Sequence, residues 1–189
     1  MILTGSQIQA ELSAGSIVIH PFEPRHVGPN SYDVTLNPQL LVYSFKDRNY
    51  IDMQSDNPTD RLIIPPDGLV LEPNCLYLGC TNESAVSKKF VPLFEGRSSI
   101  GRLGINTHIT AGFGDIGWGY TPGSDGELIC HYPTWTLEMN VVHPVKVYPN
   151  CRIGQVYFLV PMGSVSLYKG KYSTQKEPQA SKSFQDFLK

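Results

Sequence analysis

The chain is expected to be mainly β, a barrel or a sandwich, and three observations carry that expectation. Several segments are rich in β-branched and aromatic residues, 15 prolines and 17 glycines are spread evenly between them, and one short stretch alone has a credible helical pattern. That stretch comes first. Thr4 can cap a helix with Gln7 three residues on, Ile8 and Leu12 share a face, and Gly15 stops it. The strand segments then run in order: "SIVIHPF", "SYDVTLNPQLLVYSF", "GLVLEPNCLYLGCT", "TWTLEMNVVHPVKVYP" and "CRIGQVYFLVP", separated by Pro, Gly, Asn and Asp. The closing segment, "YKGKYSTQKEPQASKSFQDFLK", is polar and poorly periodic, as a frayed tail would be. It also carries Tyr168, Lys171, Tyr172 and Gln175, which suit an ordered lid that stacks on or hydrogen-bonds a ligand.

Bulk properties narrow the function classes. At 189 residues, with 41% hydrophobic and 17% charged, the sequence fits one domain with a real core. A net charge of -2 argues against a nucleic-acid coat or an anionic membrane partner, while leaving room for discrete phosphate grips. No segment approaches the length of a membrane span and the N-terminus has no basic-then-apolar signal, so a cytoplasmic location is expected. The four cysteines are scattered without a C-x-x-C pair, which reads as buried thiols in a reducing compartment rather than a zinc or redox site. A P-loop, a G-x-G-x-x-G fingerprint, an H-E-x-x-H pair and the zinc deaminase signature are all missing from the sequence.

Chemistry concentrates in three places. "FEGRSSIGRLG", residues 94–104, holds two arginines, two serines and three glycines in eleven positions. Glycine allows a ligand close to the main chain, and arginine grips planar anions such as phosphate through paired N–H groups. In "TWTLEMN" the alternation of a strand puts Trp135, Leu137 and Met139 on one face and Thr136, Glu138 and Asn140 on the other. If the first face is core, Glu138 points into a cleft or into solvent. "HITAGFGDIGWG" sets His108 and Asp115 among four glycines, so the backbone turns sharply there; His108 reads as structural, and Asp115 as turn chemistry or a ligand for a sugar hydroxyl.

"EGRSSIGRLG", "HITAGFGDIGW", "TWTLEMN" and "YPNCRIGQVYF", in that order, resemble the deoxycytidine triphosphate (dCTP) deaminase family of the trimeric dUTPase superfamily. The likeness runs from "PNSYDVTL" to "GKYSTQKEPQASKS" and so covers most of the chain. It implies a distorted, dUTPase-like β-barrel with a short N-terminal helix and a C-terminal lid at about 166–189. It implies a homotrimer whose sites lie between subunits, with Ser98 and Glu138 contributed by different chains. The implied reaction is zinc-independent hydrolytic deamination of dCTP to dUTP and ammonia. One branch of the family continues to dUMP and pyrophosphate in the same site, supplying dUMP for dTTP synthesis, and the wording of "HITAGFGDIGW" and "GKYSTQ" is nearer that branch.

By resemblance, the catalytic group is Glu138, Arg102, Ser98 and the Ala111 backbone. Glu138 would shuttle protons from a partly desolvated pocket, while Arg102 and Ser98 hold the water and polarise its surroundings. Arg97, Ser99, Ile100 and Gly101 fall in the substrate stretch, Asp115 where the family reads the 3'-hydroxyl, and Trp118 beside it. Thr136, Leu137 and Gln155 line the nucleotide, and Tyr168, Lys171 and Gln175 close over base and phosphates. Magnesium would arrive on the triphosphate, and dTTP is the implied feedback inhibitor. Two alternatives stand beside this: a dUTPase without deaminase activity, and a non-catalytic nucleotide-binding protein on the same fold. "TPGSDGELICHY", within about 119–132, reads as an inserted hairpin or loop. It offers Glu127 as a second candidate carboxylate, although "TWTLEMN" followed by "YPNCRIGQVYF" fits Glu138 better.

Overall fold

The computed structural model describes residues 1–107 and 110–188; His108 lies outside the described residues. Helix α1 (Gly5–Ser13) begins where the Thr4 side chain accepts a hydrogen bond from the Gln7 amide at 3.4 Å, buries Ile8, and ends before Gly15, whose φ of +71° a side chain would resist. The Gln7 side chain donates to Glu11 rather than back to the cap, so the reciprocal half of a capping box is not made.

Among the described residues fourteen strands follow. They are β1 (Ile17–His20), β2 (Tyr32–Thr35), β3 (Gln39–Tyr43), β4 (Thr59–Ile63), β5 (Leu69–Leu71), β6 (Tyr77–Cys80) and β7 (Ser84–Ser87). Then come β8 (Val91–Gly96), β9 (Ile105–Asn106), β10 (Tyr120–Pro122), β11 (Leu128–Cys130), β12 (Thr136–Val141), β13 (Val145–Val147) and β14 (Arg152–Leu159). The chain is mainly β, and its ladders are antiparallel: a five-stranded sheet β4-β3-β6-β12-β9, a three-stranded sheet β2-β14-β8, and the pairs β1-β7, β5-β13 and β10-β11. Long apolar segments of the sequence divide at proline corners. Pro38 ends the run of β2 and sends β3 into the other sheet, and Pro144 does the same between β12 and β13.

Besides the two-residue β9, three strands fall outside the segments that read as strands. β4 reads "TDRLI" and lies at the rim of its sheet, where charged side chains find water. β7 reads "SAVS" and is buried throughout, paired with β1. β8 contains Pro92 on the outer strand of its sheet, where the Pro92 carbonyl accepts from the Gly114 amide at 2.8 Å beside a single bridge from Leu93 to Phe113. The core gathers from both sheets: Tyr32, Phe94, Phe158, Leu40, Leu137 and Met139 are all almost fully buried, and Ile8 of α1 joins them.

All four cysteines are free thiols. Cys80 is completely buried beside β12, and burial pushes its thiol up to about 12; Cys130 and Cys151 are pushed up for the same reason. Only the thiolate attacks, so at about pH 8 the folded protein should leave Cys80 unalkylated by iodoacetamide while unfolded protein is labelled at every cysteine. Peptide mass spectrometry checks this, and rapid native labelling of Cys80 would show that β6 opens.

Candidate active site

β12 decides the site. Its alternation sends Leu137 and Met139, both with no exposed surface, into the core, and leaves Thr136, Glu138 and Asn140 half-buried on the other face. That face forms one wall of a cavity of about 570 Å³. Glu138 projects into it with Leu78 directly across the ladder on β6 and Leu76 farther along. The opposite wall is the turn that follows residues 94–104: Thr110, Ala111, Phe113, Gly114 and Asp115. The Thr110 hydroxyl donates to Glu138 Oε2 at 2.8 Å. The turn can lie this close because Gly114 has no side chain; a Cβ there would stand 2.5 Å from the Trp135 ring and 2.9 Å from the Pro92 carbonyl.

Aromatic side chains hold the floor. Trp118 and Trp135 meet edge to face at 5.1 Å, and the Trp135 indole donates to the Ala85 carbonyl at 3.0 Å. The Trp118 indole donates outward, to the Tyr172 carbonyl at 2.7 Å, and so binds the C-terminal segment to the cavity rim. That segment lies along the cavity rim, tied to it by further hydrogen bonds. The Tyr168 amide donates to the Ile116 carbonyl at 2.8 Å, the Thr134 amide to the Gln175 carbonyl at 3.0 Å, and the Ser181 amide to the Tyr43 hydroxyl at 3.1 Å. The Thr136 hydroxyl accepts twice, from the Gln175 side chain and from the Gln179 amide, each at 3.2 Å. Gln175 Oε1 is buried without a partner among the described residues and is therefore disposed to accept from a ligand.

Thr136→Val keeps the shape and removes the acceptor for two of these bonds. At about 1 kcal/mol per bond, about 2 kcal/mol in all, it should speed tryptic cleavage at the lid lysines roughly thirtyfold, without unfolding the sheets. Timed digestion read by mass spectrometry checks it; unchanged cleavage would mean that the hydroxyl does not hold the lid.

The structure thus brings Ala111, Asp115, Trp118, Thr136, Glu138, Tyr168 and Gln175 around one space, with Tyr172. Several other predicted positions lie elsewhere. Leu137 does not line the cavity, because strand alternation turns its side chain into the core. Lys171 is paired with Asp186 at 2.6 Å and stands away from the cavity lining. Gln155 sits on β14, where its side-chain carbonyl accepts from the Ser31 hydroxyl at 3.0 Å. Arg97, Ser98, Ser99, Ile100, Gly101 and Arg102 form or flank the one-turn helix α2 (Ser98–Gly101) and are absent from the walls around Glu138. Ser98, Ser99, Gly101 and Arg102 are exposed there.

The three glycines of that stretch divide their roles. Gly104 has φ +76°, and a Cβ on Gly96 would stand 2.7 Å from the Thr107 hydroxyl, so both serve the chain path; only Gly101 faces open space where a ligand could approach. Glu127 lies exposed on the β10–β11 turn, its carbonyl accepting from the Gly123 amide at 2.7 Å, and it has no part in the cavity. Sequence reasoning missed Thr110, Tyr43, Leu76, Leu78 and Phe113. Thr110 had a signal, as a hydroxyl inside the quoted "HITAGFGD" turn; the others read as ordinary strand or loop residues. Among the described residues no group of three or more His, Cys, Asp or Glu is placed to hold a metal ion, and no helix is long and apolar enough to cross a membrane.

A family profile described as dCTP deaminase-like matches residues 2–159. A protein named "dCTP deaminase, dUMP-forming" from Clostridium beijerinckii is 46% identical over 191 aligned residues, covering all of both chains. Proteins of the same name from Clostridium acetobutylicum and Cytophaga hutchinsonii are each 44% identical, with 99% and 100% of their lengths and all of this chain covered. Among solved structures, the crystal structure of 2'-deoxycytidine 5'-triphosphate deaminase from Agrobacterium tumefaciens matches with a TM-score of 0.55 at 20% identity, over 85% of this chain. This chain spans 48% of that one, and at such identity the likeness speaks for the fold alone.

Proposed function

Because this chain belongs to the dCTP deaminase-like family, we propose that it hydrolyses dCTP at C4 of the base and carries the product on to dUMP and pyrophosphate. The observation that carries this reading is the placement of Glu138, a half-buried carboxylate between Leu78 and the Thr110–Asp115 turn, in a cavity with an aromatic floor and the hydrogen-bonded C-terminal segment along its rim.

In the first step Glu138 takes a proton from a water as its oxygen adds to C4, and that proton serves the ring nitrogen. A second transfer, from the C4 hydroxyl to the amino group, lets the C–N bond break, leaving a carbonyl and ammonia. Thr110 would steer the carboxylate through its hydrogen bond to Oε2, and the Ala111 backbone, on the same turn lining the cavity, would be a fixed partner for the water. In the second step another water attacks the α-phosphate, and the bond to the β-phosphate breaks to give dUMP and pyrophosphate. The shared name of the relatives favours this longer course over arrest at dUTP, and it disfavours a dUTPase that cannot deaminate. No zinc is invoked, since a carboxylate can supply the proton transfers. Magnesium would enter with the substrate and offset the charge of its phosphates.

Arg97, Ser98 and Arg102 lie outside the Glu138 cavity of their own chain. We therefore read the working enzyme as a homotrimer in which a neighbour presents its residues 97–102 to this cavity. The remaining assignments, of Asp115 to the 3'-hydroxyl, of Tyr168 and Gln175 to the closed nucleotide, of dTTP as feedback inhibitor and of a cytoplasmic location, belong to the same proposal. The test is product analysis: dCTP with magnesium should release ammonia and yield dUMP with pyrophosphate. Accumulation of dUTP alone would remove the second step, and absence of ammonia with rapid cleavage of added dUTP would remove the first.

A further inference from the structure

On the three-stranded sheet, away from the Glu138 cavity, one carboxylate holds two guanidiniums. Asp33 of β2 lies across from Gln155 of β14. Its Oδ1 is 3.2 Å from Arg97 Nε and its Oδ2 is 3.2 Å from Arg152 Nη1. The Asp33 side chain is only 17% exposed, Arg97 24% and Arg152 48%. Arg97 also points Nη1 at the Arg152 carbonyl, at 3.5 Å. A single exposed ion pair would mean little. Here two like charges are kept together, against their repulsion, by one shared and largely covered anion. Together the three groups carry one surplus positive charge, and each arginine keeps N–H groups beyond those it gives to Asp33. The nearest other carboxylate on this row, Glu95 of β8, is exposed opposite Gln155 and adds no bond to either arginine.

We infer that Asp33 is the positioning residue of the phosphate grip: it aims Arg97 at the polyphosphate and sets beside it a second cation, Arg152, as a further phosphate contact. The inference rests on the reading above that residues 97–99 take the triphosphate. Clamping through Nε fixes the plane of the Arg97 guanidinium and leaves Nη2, with the second hydrogen of Nη1, for an anion, so that less rotamer freedom is lost on binding. Arg152, on a different strand, reaches the same place only because β14 lies between β2 and β8.

The experiment measures steady-state kinetics on dCTP, and inhibition by inorganic tripolyphosphate, for the assembled protein and its Arg97→Gln, Arg152→Gln and Asp33→Asn variants. Arg152→Gln and Asp33→Asn should each raise KM for dCTP and Ki for tripolyphosphate roughly tenfold, the size expected for one charge-assisted contact. The loss should fall on KM rather than kcat, which a merely structural role would not produce. Adding Asp33→Asn to an Arg97→Gln, Arg152→Gln background should change Ki no further, because the carboxylate then has nothing to aim. An unmoved Ki in Arg152→Gln overturns the second contact, and a full Asp33 effect in the doubly substituted background overturns the positioning role. If Asp33→Asn does not fold, Asp33→Glu, which keeps the charge, replaces it, and a full rather than partial loss of tripolyphosphate binding there would count against the clamp. Unchanged KM and Ki in Arg97→Gln would instead sink the phosphate-grip reading itself.

Discussion

Replacing Glu138 by glutamine should lower ammonia release from dCTP by about a hundred- to ten-thousand-fold, the range that one positioned proton-transfer group supplies, while nucleotide binding stays within a small factor. The substitution preserves shape. The glutamine carbonyl can still accept from the Thr110 hydroxyl, which now donates to Oε2 at 2.8 Å, and Leu137 and Met139 on the reverse face keep β12 seated in the core. What disappears is the ability to take a proton from water and return it to nitrogen. Ammonia assays paired with calorimetric titration of a nucleotide separate the two effects. A variant that still turns over at the wild-type rate would show that another group relays the protons, and one that no longer binds nucleotide would show that Glu138 shapes the pocket instead.

Mixing two dead variants should restore activity. If each working site takes Glu138 from one chain and Arg102 from its neighbour, Glu138→Gln and Arg102→Ala homotrimers are both inactive. In randomly mixed trimers, each interface meets an intact Glu138 with chance one half and an intact Arg102 with chance one half. About a quarter of the sites are then whole, as closed cyclic symmetry requires. Unfolding and refolding the variants together, or co-expressing them, supplies the exchange, and dUMP formation reads the result against the unmixed proteins. The structure motivates the experiment directly: Glu138 lies in a cavity whose walls come from β6, β12, the 110–115 turn and the C-terminal cover, and Arg102 is exposed and is not among them. Persistent inactivity after proven exchange would place both groups in one chain's site and rule out the shared arrangement.

Much of the candidate site was legible because it is written in local pattern. The alternation in "TWTLEMN" separates Glu138 from the core side by nearest neighbours alone, and the glycines around Asp115 announce a sharp turn wherever the chain goes next. The resemblance supplied residue roles that no periodicity could. It did not supply surroundings. Lys171, assigned to the ligand, is occupied by Asp186 fifteen residues later, and Leu137, counted among the lining residues, turns inward. β4, β7 and β8 escaped notice because their residues suit a rim, a buried interior and an outer strand bridged to the 112–114 turn, which are properties of position and not of composition.

By itself the sequence determined that this is a mainly β chain with one capped helix, a carboxylate on the outer face of a core strand, and an arginine–serine stretch suited to anions. These depend on residues a few positions apart, where backbone stereochemistry imposes periods of two or 3.6 on any solution. Only the tertiary structure decided that Thr110 meets Glu138 across 28 residues, that Tyr43 and Thr136 hold the lid, and that Asp33 clamps Arg97 and Arg152, the latter 119 residues away. Such meetings follow from which strands become neighbours, and that is chosen by the burial of the whole core, which no short window of sequence contains.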